Sequence, residues 1–596
     1  MLFHSKHLKI GSYGILAILI ITVATLIRIV LIAFGWPHSN ADESTMGIMA
    51  MHILLKGEHP IFYYGQNYMG TLEAYLGSFF FSLFGASVFA LRLGPILFYA
   101  LFLANMYLLT TLLYSKKLAL ITLIILSLGS CIMLDTELVA LGGYPELLFF
   151  GSLSMLLVAW LSISHDQYIP PRTKWLRLFT YAGWGIVCGL GFWSDFLMLS
   201  FILLSGLFLV IFCLKELLKG AVLFLILGLL LGSTPLIIYN LNAPSNLNTL
   251  IVLKDLHNNG NLQLANMHYH GIIPFGPQLR GTFLTTLPAA IGGQPFCFDA
   301  YTQFRLSGYL GHESSTCSIL HGNLSQAIIA LVWSLGFTIL WSISTYSTIK
   351  NIWDLCRRNQ GNPWAISKKQ ALIRNSAGLM LLCSAALILY LYISSPISAA
   401  FPPDSRYLIG LLISTPALIW PLWELSSGHS LSSKSTSAEN TATHGEKFSL
   451  LAFNFSTLKT ILGRCLLALL VILLLVGTIN AFLEIPTVQA YNQQQDALIN
   501  KLSQLKISHF YTEYWTCDST AFLAKEQIIC TSIDDALHPR YNRYLPYVII
   551  VKSDPNAAYV FPVGASQLVP IARKIAHSPK QFIHLVYDGY VIYKPL

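Results

Sequence analysis

Eleven times along this chain the sequence runs apolar for long enough to cross a lipid bilayer, at about 11–35, 89–113, 118–134, 144–163, 177–193, 196–214, 220–239, 323–348, 375–394, 406–424 and 460–481. A hydrocarbon layer about 30 Å thick takes roughly 20 helical residues, and inside it every backbone N–H and C=O must find a partner within the protein. The expected fold class is therefore a polytopic α-helical membrane protein of about 11 spans. Composition agrees, since 55% of the 596 residues are hydrophobic and only 11% are charged. The basic start MLFHSKHLKIGSYG leads into a run too long for a signal-peptide core, with no small-residue cleavage site behind it. It is expected to remain as the first helix, with the N-terminus on the cytoplasmic side.

A twelfth apolar stretch, 71–84, is too short to span and carries Glu73. Its status fixes the parity of every later loop. Laid flat at the outer interface, it leaves Lys6, Lys9, Lys116, Lys117, Arg172, Lys174, Arg177, Lys215, Lys219, Arg357, Arg358, Lys368, Lys369 and Arg374 on one side. The opposite loops before residue 482 keep little more than Lys56, Lys254, Arg280 and Arg305. Basic loops stay cytoplasmic, so 36–88 and 240–322 are expected outside and 425–459 inside, as a Ser/Thr-rich disordered linker. The net charge of +9 is topological on this reading and calls for no nucleic-acid partner. Residues 1–481 form the membrane domain. From 482 to 596 charge and turn residues return, and a small extracytoplasmic α/β domain is expected, with a helix over EIPTVQAYNQQQDALINKLSQL and strands over HFYTEYW, EQIICTSI, YLPYVIIV and QFIHLVYDGYVIY. Tyr511, Tyr514 and Trp515 in that domain are packed strand residues or acceptor contacts.

Two cysteine pairs, Cys297 with Cys317 and Cys517 with Cys530, fall on the oxidising side and are disulfide candidates. His257, His268 and His270 share the large outer loop without acidic or thiol partners at ligand spacing, so they read as loop histidines. No metal site is expected from them. Asn323-Leu-Ser matches a glycosylation acceptor, a tripeptide frequent by chance.

The acidic residues sort to one face. Asp42 and Glu43 follow the first span, Asp135 and Glu137 the third, Glu146 opens the fourth, and Asp195 sits between the fifth and sixth. Arg406 and Tyr407 open the tenth at the same level. Charges dragged into hydrocarbon cost several kcal/mol, so these groups belong at the water boundary. There a carboxylate can act as a general base. The bland alternative for Asp42 is an N-cap for STMGIMAMHILL. For Asp135, Glu137 and Glu146 it is a loop position kept out of lipid, and for Arg406 an interfacial anchor. The aromatic stretch IFYYGQNYMG supplies Tyr63, Tyr64 and Tyr68 as a boundary belt or a sugar-stacking wall. Arg28, inside the first span, is expected to snorkel or to pair with an acid on a neighbouring helix.

A first span ending in ADES, the segment GEHPIFYYGQNYMGTLEAYLGSFFFSLFG, then ASVFALRLGP and the later PPDSRYLIGLL resemble the protein O-mannosyltransferase and aminoarabinose-transferase group of GT-C membrane glycosyltransferases, most of all its "RgtA/B/C/D-like" bacterial subset. The resemblance covers roughly 20–240 and 400–424. It implies an enzyme of the bacterial plasma membrane that moves a hexosyl or pentosyl group from a polyprenyl-phosphate sugar donor to a glycan, lipid or protein acceptor at the outer face. Asp42 would be the general base, with Glu43 orienting the acceptor or assisting Asp42. Arg406 would hold the departing phosphate, and Tyr407, Tyr64, Tyr68, Asp135, Glu137 and Glu146 would contact substrate. Where relatives carry a Lys-Pro-Pro or Glu-Lys-Pro segment this chain has Tyr68-Met69-Gly70, so no obligate metal cofactor is expected, although a divalent metal stays admissible. A transporter or flippase of lipid-linked sugars is the main alternative. It would place polar groups near mid-bilayer on broken, repeated helices, a pattern the sequence does not show. A scaffold anchored by eleven spans is the weaker one.

Overall fold

Helices are the form in which a single segment crosses hydrocarbon with its backbone paired, and the apolar runs adopt it. The computed structural model describes residues 11–164, 171–255, 275–293, 324–357, 365–395, 397–400, 405–427 and 446–596. The main helices of the membrane part are α1 (Ser12–Ala33), α2 (Ala41–Lys56), α3 (Leu72–Phe84), α4 (Val88–Leu113), α5 (Lys116–Ser127), α6 (Cys131–Leu138), α7 (Tyr144–Ile163), α8 (Pro171–Ser194), α9 (Leu199–Glu216), α10 (Val222–Gly232), α11 (Leu324–Arg357), α12 (Ile366–Ile393), α13 (Thr415–Ser427) and α14 (Glu446–Leu483). Among the described residues eight helices are long and apolar enough to cross a membrane, or up to nine if the bent pair α5–α6 counts as one span. The expected number of about 11 is not reached on that measure.

Two of the expected spans are built differently from a straight rod. The run 118–134 stops at Ser127, and after Gly129 and Ser130 the chain leaves at 91° as α6. A leucine-rich run does not announce that break; the glycine and the capping serine do. The continuous stretch Phe196–Gly232 contains a reversal at Lys219–Gly220, where Gly220 takes φ +103°, a conformation a Cβ would disfavour. Beyond it α10 packs backbone to backbone on α8. A Cβ on Gly228 would lie 2.0 Å from the Ala182 carbonyl oxygen, and one on Gly232 would lie 2.4 Å from that of Ile186. Positions on the two helices rise together, so α8 and α10 run parallel, with α9 as the return between them in sequence.

The short stretch 71–84 forms α3, whose 13 residues cannot span the layer. The expected linker 425–459 is narrower than the sequence suggests: α13 continues to Ser427 and α14 is helical from Glu446, while 428–445 lie outside the described residues. Within 240–322 the described parts include the short helices Thr249–Asp255, Phe275–Gly281 and Leu287–Ala290. His257, His268, His270, Cys297, Cys317 and Asn323 lie outside the described residues.

After α14 the chain enters α15 (Ile485–Gln504) and then a five-stranded sheet in the order β2-β1-β3-β5-β4. The strands are β1 (His509–Thr512), β2 (Ile529–Ser532), β3 (Ala558–Pro562), β4 (Phe582–Tyr587) and β5 (Tyr590–Pro595). β1 pairs parallel with β2 and β3, and β5 pairs antiparallel with β3 and β4. Crossovers α16 (Tyr514–Leu523) and α17 (Leu545–Ser553) make the parallel half. The expected strand YLPYVIIV is therefore a helix: Pro546 stands in its first turn, where a fixed φ and a missing N–H cost nothing. The segment HFYTEYW is strand only to Thr512, because the Glu513 side chain accepts the N–H groups of Trp515 and Thr516 and starts α16. The run QFIHLVYDGYVIY folds as two strands around Asp588–Gly589, both at positive φ as a tight hairpin turn requires. The disulfide Cys517–Cys530 ties α16 to β2.

Helix α2 joins the two parts. On one side Glu43 is fully buried and takes a two-pronged bond from Arg92, Nε to Oε1 at 2.8 Å and Nη2 to Oε2 at 2.7 Å. On the other side Gly47 lies against the Phe522 ring, Thr45 donates to Asp518 at 2.6 Å, and His52 and Lys56 meet Glu526 at 2.9 Å each. Removing one partner of a buried ion pair strands the other, at a cost of about 3–5 kcal/mol. Glu43→Ala is accordingly expected to lower the apparent Tm of detergent-solubilised protein strongly, and pairing it with Arg92→Met is expected to recover much of the loss. An unchanged Tm for Glu43→Ala would remove α2's anchoring role.

Candidate functional site

Asn40 sets the start of α2: its side chain accepts the Glu43 N–H at 2.9 Å. The cap is thus Asn40 rather than Asp42, and both acids fall in the first turn. Successive residues on a helix point about 100° apart, so the acidic pair splits. Glu43 turns into the bundle toward Arg92, whereas Asp42 lines a cavity of about 420 Å³ at the end of the membrane helices. Tyr63, Gln66 and Tyr68 follow it on the wall, Tyr144 enters from the start of α7, and Asp195 from the α8–α9 turn. Arg406 and Tyr407 close the far side, and Arg543 reaches in from the C-terminal domain.

Asp42 is held from three directions. Arg543 Nη2 donates to its Oδ1 at 2.9 Å, the Tyr514 hydroxyl donates to the same oxygen, and Tyr63 donates to its main-chain carbonyl at 2.9 Å. Arg543 Nε also donates to the Tyr514 oxygen at 2.9 Å, and the Gln66 amide oxygen, turned toward the guanidinium, accepts from Nη1 at 2.8 Å. With both donors on Oδ1, Oδ2 is the oxygen left to meet a ligand. Burial and the adjacent Asp42 push the Tyr514 hydroxyl up, so it remains a proton donor. Burial works against the Arg543 charge, but Tyr63, Asp42 and Tyr514 outweigh it and hold its pKa above the ordinary value. Across the cavity the Arg406 guanidinium stands 5.4 Å from the Tyr407 ring centre and 5.9 Å from that of Tyr144. The wall between them rests on Glu73, which accepts the N–H groups of Gly142 at 3.0 Å and Gly143 at 3.3 Å. Burial pushes the Glu73 carboxyl up.

A second, apolar cavity of about 380 Å³ runs among α11, α13, α14 and the segment Ser405–Ser414, lined by Trp333, Phe337, Leu411, Leu412, Leu470 and Leu474 among others. Leu411 lies five residues after Arg406 on a 3₁₀ segment, which places it about 10 Å further along. The segment Ser405–Ser414 thus lines the charged cavity at its start and the greasy one further along.

The structure brings together Asp42, Tyr68, Arg406 and Tyr407 of the residues singled out from the sequence, with Asp195 and Tyr63 beside them. It sends the others elsewhere. Glu137 is buried against Arg28, whose Nη2 and Nε donate to its Oε2 at 2.5 and 3.1 Å, so Arg28 pairs with a neighbouring helix and Glu137 does not face the cavity. Asp135 is buried in α6, away from the cavity wall, and Glu146 is buried behind it next to Glu73. Tyr64 points the other way, donating to Glu58 and bonded to His52 at 2.8 Å. Glu43 is a structural anchor by geometry, not a second base. Tyr514, considered from the sequence as a packed residue or an acceptor contact, bonds Asp42 instead. Arg543 and Gln66 were not singled out, and the one hint for Arg543 is the basic and aromatic string RYNRYLPY. Among the described residues no three His, Cys, Asp or Glu side chains come together to hold a metal ion.

Two guanidinium groups on one cavity suit an oxyanion. Burial lifts the Asp195 carboxyl to about 7, against the pull of the Leu197 N–H and Arg406. Below that pH it is neutral; above it, it adds a negative charge next to Arg406 and competes with the anion. Inorganic pyrophosphate is therefore expected to bind more weakly as pH rises from 6 to 8. Asp195→Asn should flatten that slope after the ligand's own titration, common to both proteins, is divided out. Identical slopes by calorimetry would overturn the assignment.

No family model matches the chain, and no curated protein does. Solved structures do. The chain is similar to ArnT from Cupriavidus metallidurans bound to undecaprenyl phosphate, at 11% identity and a TM-score of 0.49, over 97% of both chains. It is similar to the Archaeoglobus fulgidus oligosaccharyltransferase in its apo form, at 13% identity and a TM-score of 0.48, over 97% of this chain and 74% of that one. The archaeal oligosaccharyltransferase AglB from Archaeoglobus fulgidus with an inhibitory peptide and a dolichol-phosphate gives 14% and 0.39 over the same shares. Likeness this loose leaves the function to be argued from the site.

Proposed function

We propose that this chain is a GT-C-like membrane glycosyltransferase that takes a sugar from a polyprenyl-phosphate donor and passes it to an acceptor hydroxyl at the outer face of the membrane. The observation that carries the reading is a single cavity holding the Asp42 carboxylate and two guanidinium groups, Arg406 and Arg543, with a separate apolar cavity further along the same Ser405–Ser414 segment. An isoprenoid tail fits the apolar cavity, and the phosphate at its head meets Arg406. The glycosyl group then lies between Arg406 and Asp42, among Tyr68, Tyr144 and Tyr407.

In the reaction Asp42 takes the proton of the acceptor hydroxyl as that oxygen attacks the anomeric carbon. The bond from that carbon to the phosphate oxygen breaks, and its electron pair leaves with the phosphate, where the Arg406 fork meets the growing charge. One displacement inverts the configuration. Arg543 and Tyr514 fix Oδ1, so the carboxylate does not have to be oriented at the moment of reaction. The two guanidinium groups supply the positive charge, so the reading requires no obligate divalent metal.

The side of the membrane follows from charge. Lys116 and Lys117 at the start of α5, Arg177, Lys215 and Lys219, and Lys368 and Lys369 at the start of α12 lie at the bundle end away from the cavity. The positive-inside rule places that end in the cytoplasm and the cavity outside, where the Cys517–Cys530 disulfide also belongs. A transporter needs its polar groups near the middle of the layer; here they stand at one end.

Purified protein given a radiolabelled polyprenyl-phosphate sugar should transfer label to a hydroxyl acceptor. Asp42→Asn is expected to lower kcat by about 10²–10⁴-fold while the apparent Tm holds, the reverse of the effect at Glu43. Chelator should leave the rate unchanged. Full activity in Asp42→Asn would sink the mechanism, and rate loss restored by Mg²⁺ or Mn²⁺ would require a metal in its place.

A further inference from the structure

A second polar cavity, of about 370 Å³, lies on the other side of the first turn of α2, between that turn, α15 and the sheet domain. Its wall is made of aromatic faces and amides: Trp515, Tyr491 and Tyr590 with Asn40, Gln494 and Gln495. Trp515 is 40% exposed, a large exposure for a tryptophan in a folded domain. The rims are fixed by hydrogen bonds that the cavity does not need to supply. Gln494 donates to the Asp588 carbonyl at 2.8 Å, Asn40 uses its amide oxygen on the Glu43 N–H, and His38 is bonded to Asn492 at 2.9 Å. Glu513 gives its oxygens to the start of α16. Among the described residues no lysine or arginine lines the cavity, in contrast to the Asp42 cavity with its two arginines.

We propose that this cavity binds an uncharged saccharide, as a holding site for a glycan next to the Asp42 cavity. The chemistry of the wall selects that class. Flat aromatic side chains take the apolar face of a pyranose ring, and carboxamides offer donor and acceptor together as vicinal hydroxyls require. With no lysine or arginine among the described lining residues, and the Glu513 carboxylate on the wall beside His38, the site does not favour a phosphate. Its volume is within the range of about 300–1,000 Å³ usual for small-molecule sites. The location gives the site its meaning. Tyr514 bonds Asp42 on one side while the next residue, Trp515, lines the saccharide cavity on the other. Asn40 and Asp42 stand in the same relation on α2. Only one thickness of chain therefore separates the two cavities, so a glycan seated at Trp515 is held within a few residues of the base. As an acceptor-holding site this rests on the transferase reading; as a saccharide site it stands alone.

The test uses the full-length protein in nanodiscs with maltotriose, mannotriose and tri-N-acetylchitotriose as probes, read by saturation-transfer NMR and calorimetry. At least one trisaccharide is expected to bind, with affinity at least tenfold weaker in Trp515→Ala. Gln495→Trp, which fills the cavity from the surface of α15 without removing a packed side chain, should weaken it as much. Asp42→Asn should bind the trisaccharide like wild type. If none of the three binds, or if both cavity variants bind unchanged, the site is overturned. Displacement of the trisaccharide by a Ser/Thr-rich peptide with higher affinity would overturn the ligand class. A preparation that transfers sugar but binds no trisaccharide removes the second site alone. One that binds the trisaccharide through Trp515 but consumes no donor removes the transferase reading and leaves the second site standing.

Discussion

The buried pair of Arg92 and Glu43 is the contact on which the position of everything functional rests. It lies where α2 leaves the membrane bundle, with both side chains fully shielded from solvent. Arg92 also donates to the Pro37 carbonyl at 2.6 Å, and the Ala140 N–H reaches Glu43 at 3.3 Å. The pair thereby fixes three segments: Arg92 holds the chain entering α2 and the first turn of α2, and Glu43 holds the loop before α7. Two charges taken out of water are costly, and their attraction repays that only when the remaining polar atoms are also satisfied. Here the fork geometry and the added carbonyl and amide satisfy them. The gain is positional: with Glu43 locked, the helical step leaves Asp42 one direction to face.

The C-terminal domain completes what α2 begins. Arg543 and Tyr514 belong to a fold with its own sheet and disulfide, yet they bond a carboxylate of the membrane domain. Their approach is set by the docking of α16 on α2, through Gly47 against Phe522, and by the His52–Glu526–Lys56 cluster one end further along. Glu526, with hydrogen bonds from His52, Lys56 and Tyr547, is drawn down to about 2 despite its burial, so its carboxylate stays charged over the physiological range. A joint of this kind would make the domain a working wall of the cavity rather than an appendage.

The sequence revealed the helices and the face where acids gather, because long apolar runs and charge asymmetry are properties of local composition. Asp42 and Arg406 could be singled out by their depth at the ends of apolar runs, Tyr68 by the aromatic stretch that holds it, and Tyr407 by the resemblance of PPDSRYLIGLL. Partner choice could not be read that way. Glu43 and Glu137 carry the same local signature as Asp42, and what separates them is Arg92 and Arg28, which sit 49 and 109 residues away. Arg543 lies 501 residues from Asp42, so no motif could link them. The mistaken strand YLPYVIIV shows the same limit at short range: its β-branched run fits a strand, and a single proline in the first turn decides otherwise.

The division of charge between the two polar cavities carries the argument furthest. A transferase working on a lipid phosphate must attract one anion and hold a neutral acceptor without letting either occupy the other's place. Guanidinium groups distributed over both cavities would bind the phosphate in two registers, one of them unproductive. Here Arg406 and Arg543 both line the Asp42 cavity, and among the described residues none lines the cavity at Trp515. On the proposed reading the apolar cavity would add direction, since a tail seated among Leu411, Leu470 and Leu474 would have Arg406 at the other end of the same segment for its head group. If the proposed function holds, charge and greasiness together would orient a donor before any contact with the transferred sugar is made, leaving the sugar contacts to serve selectivity.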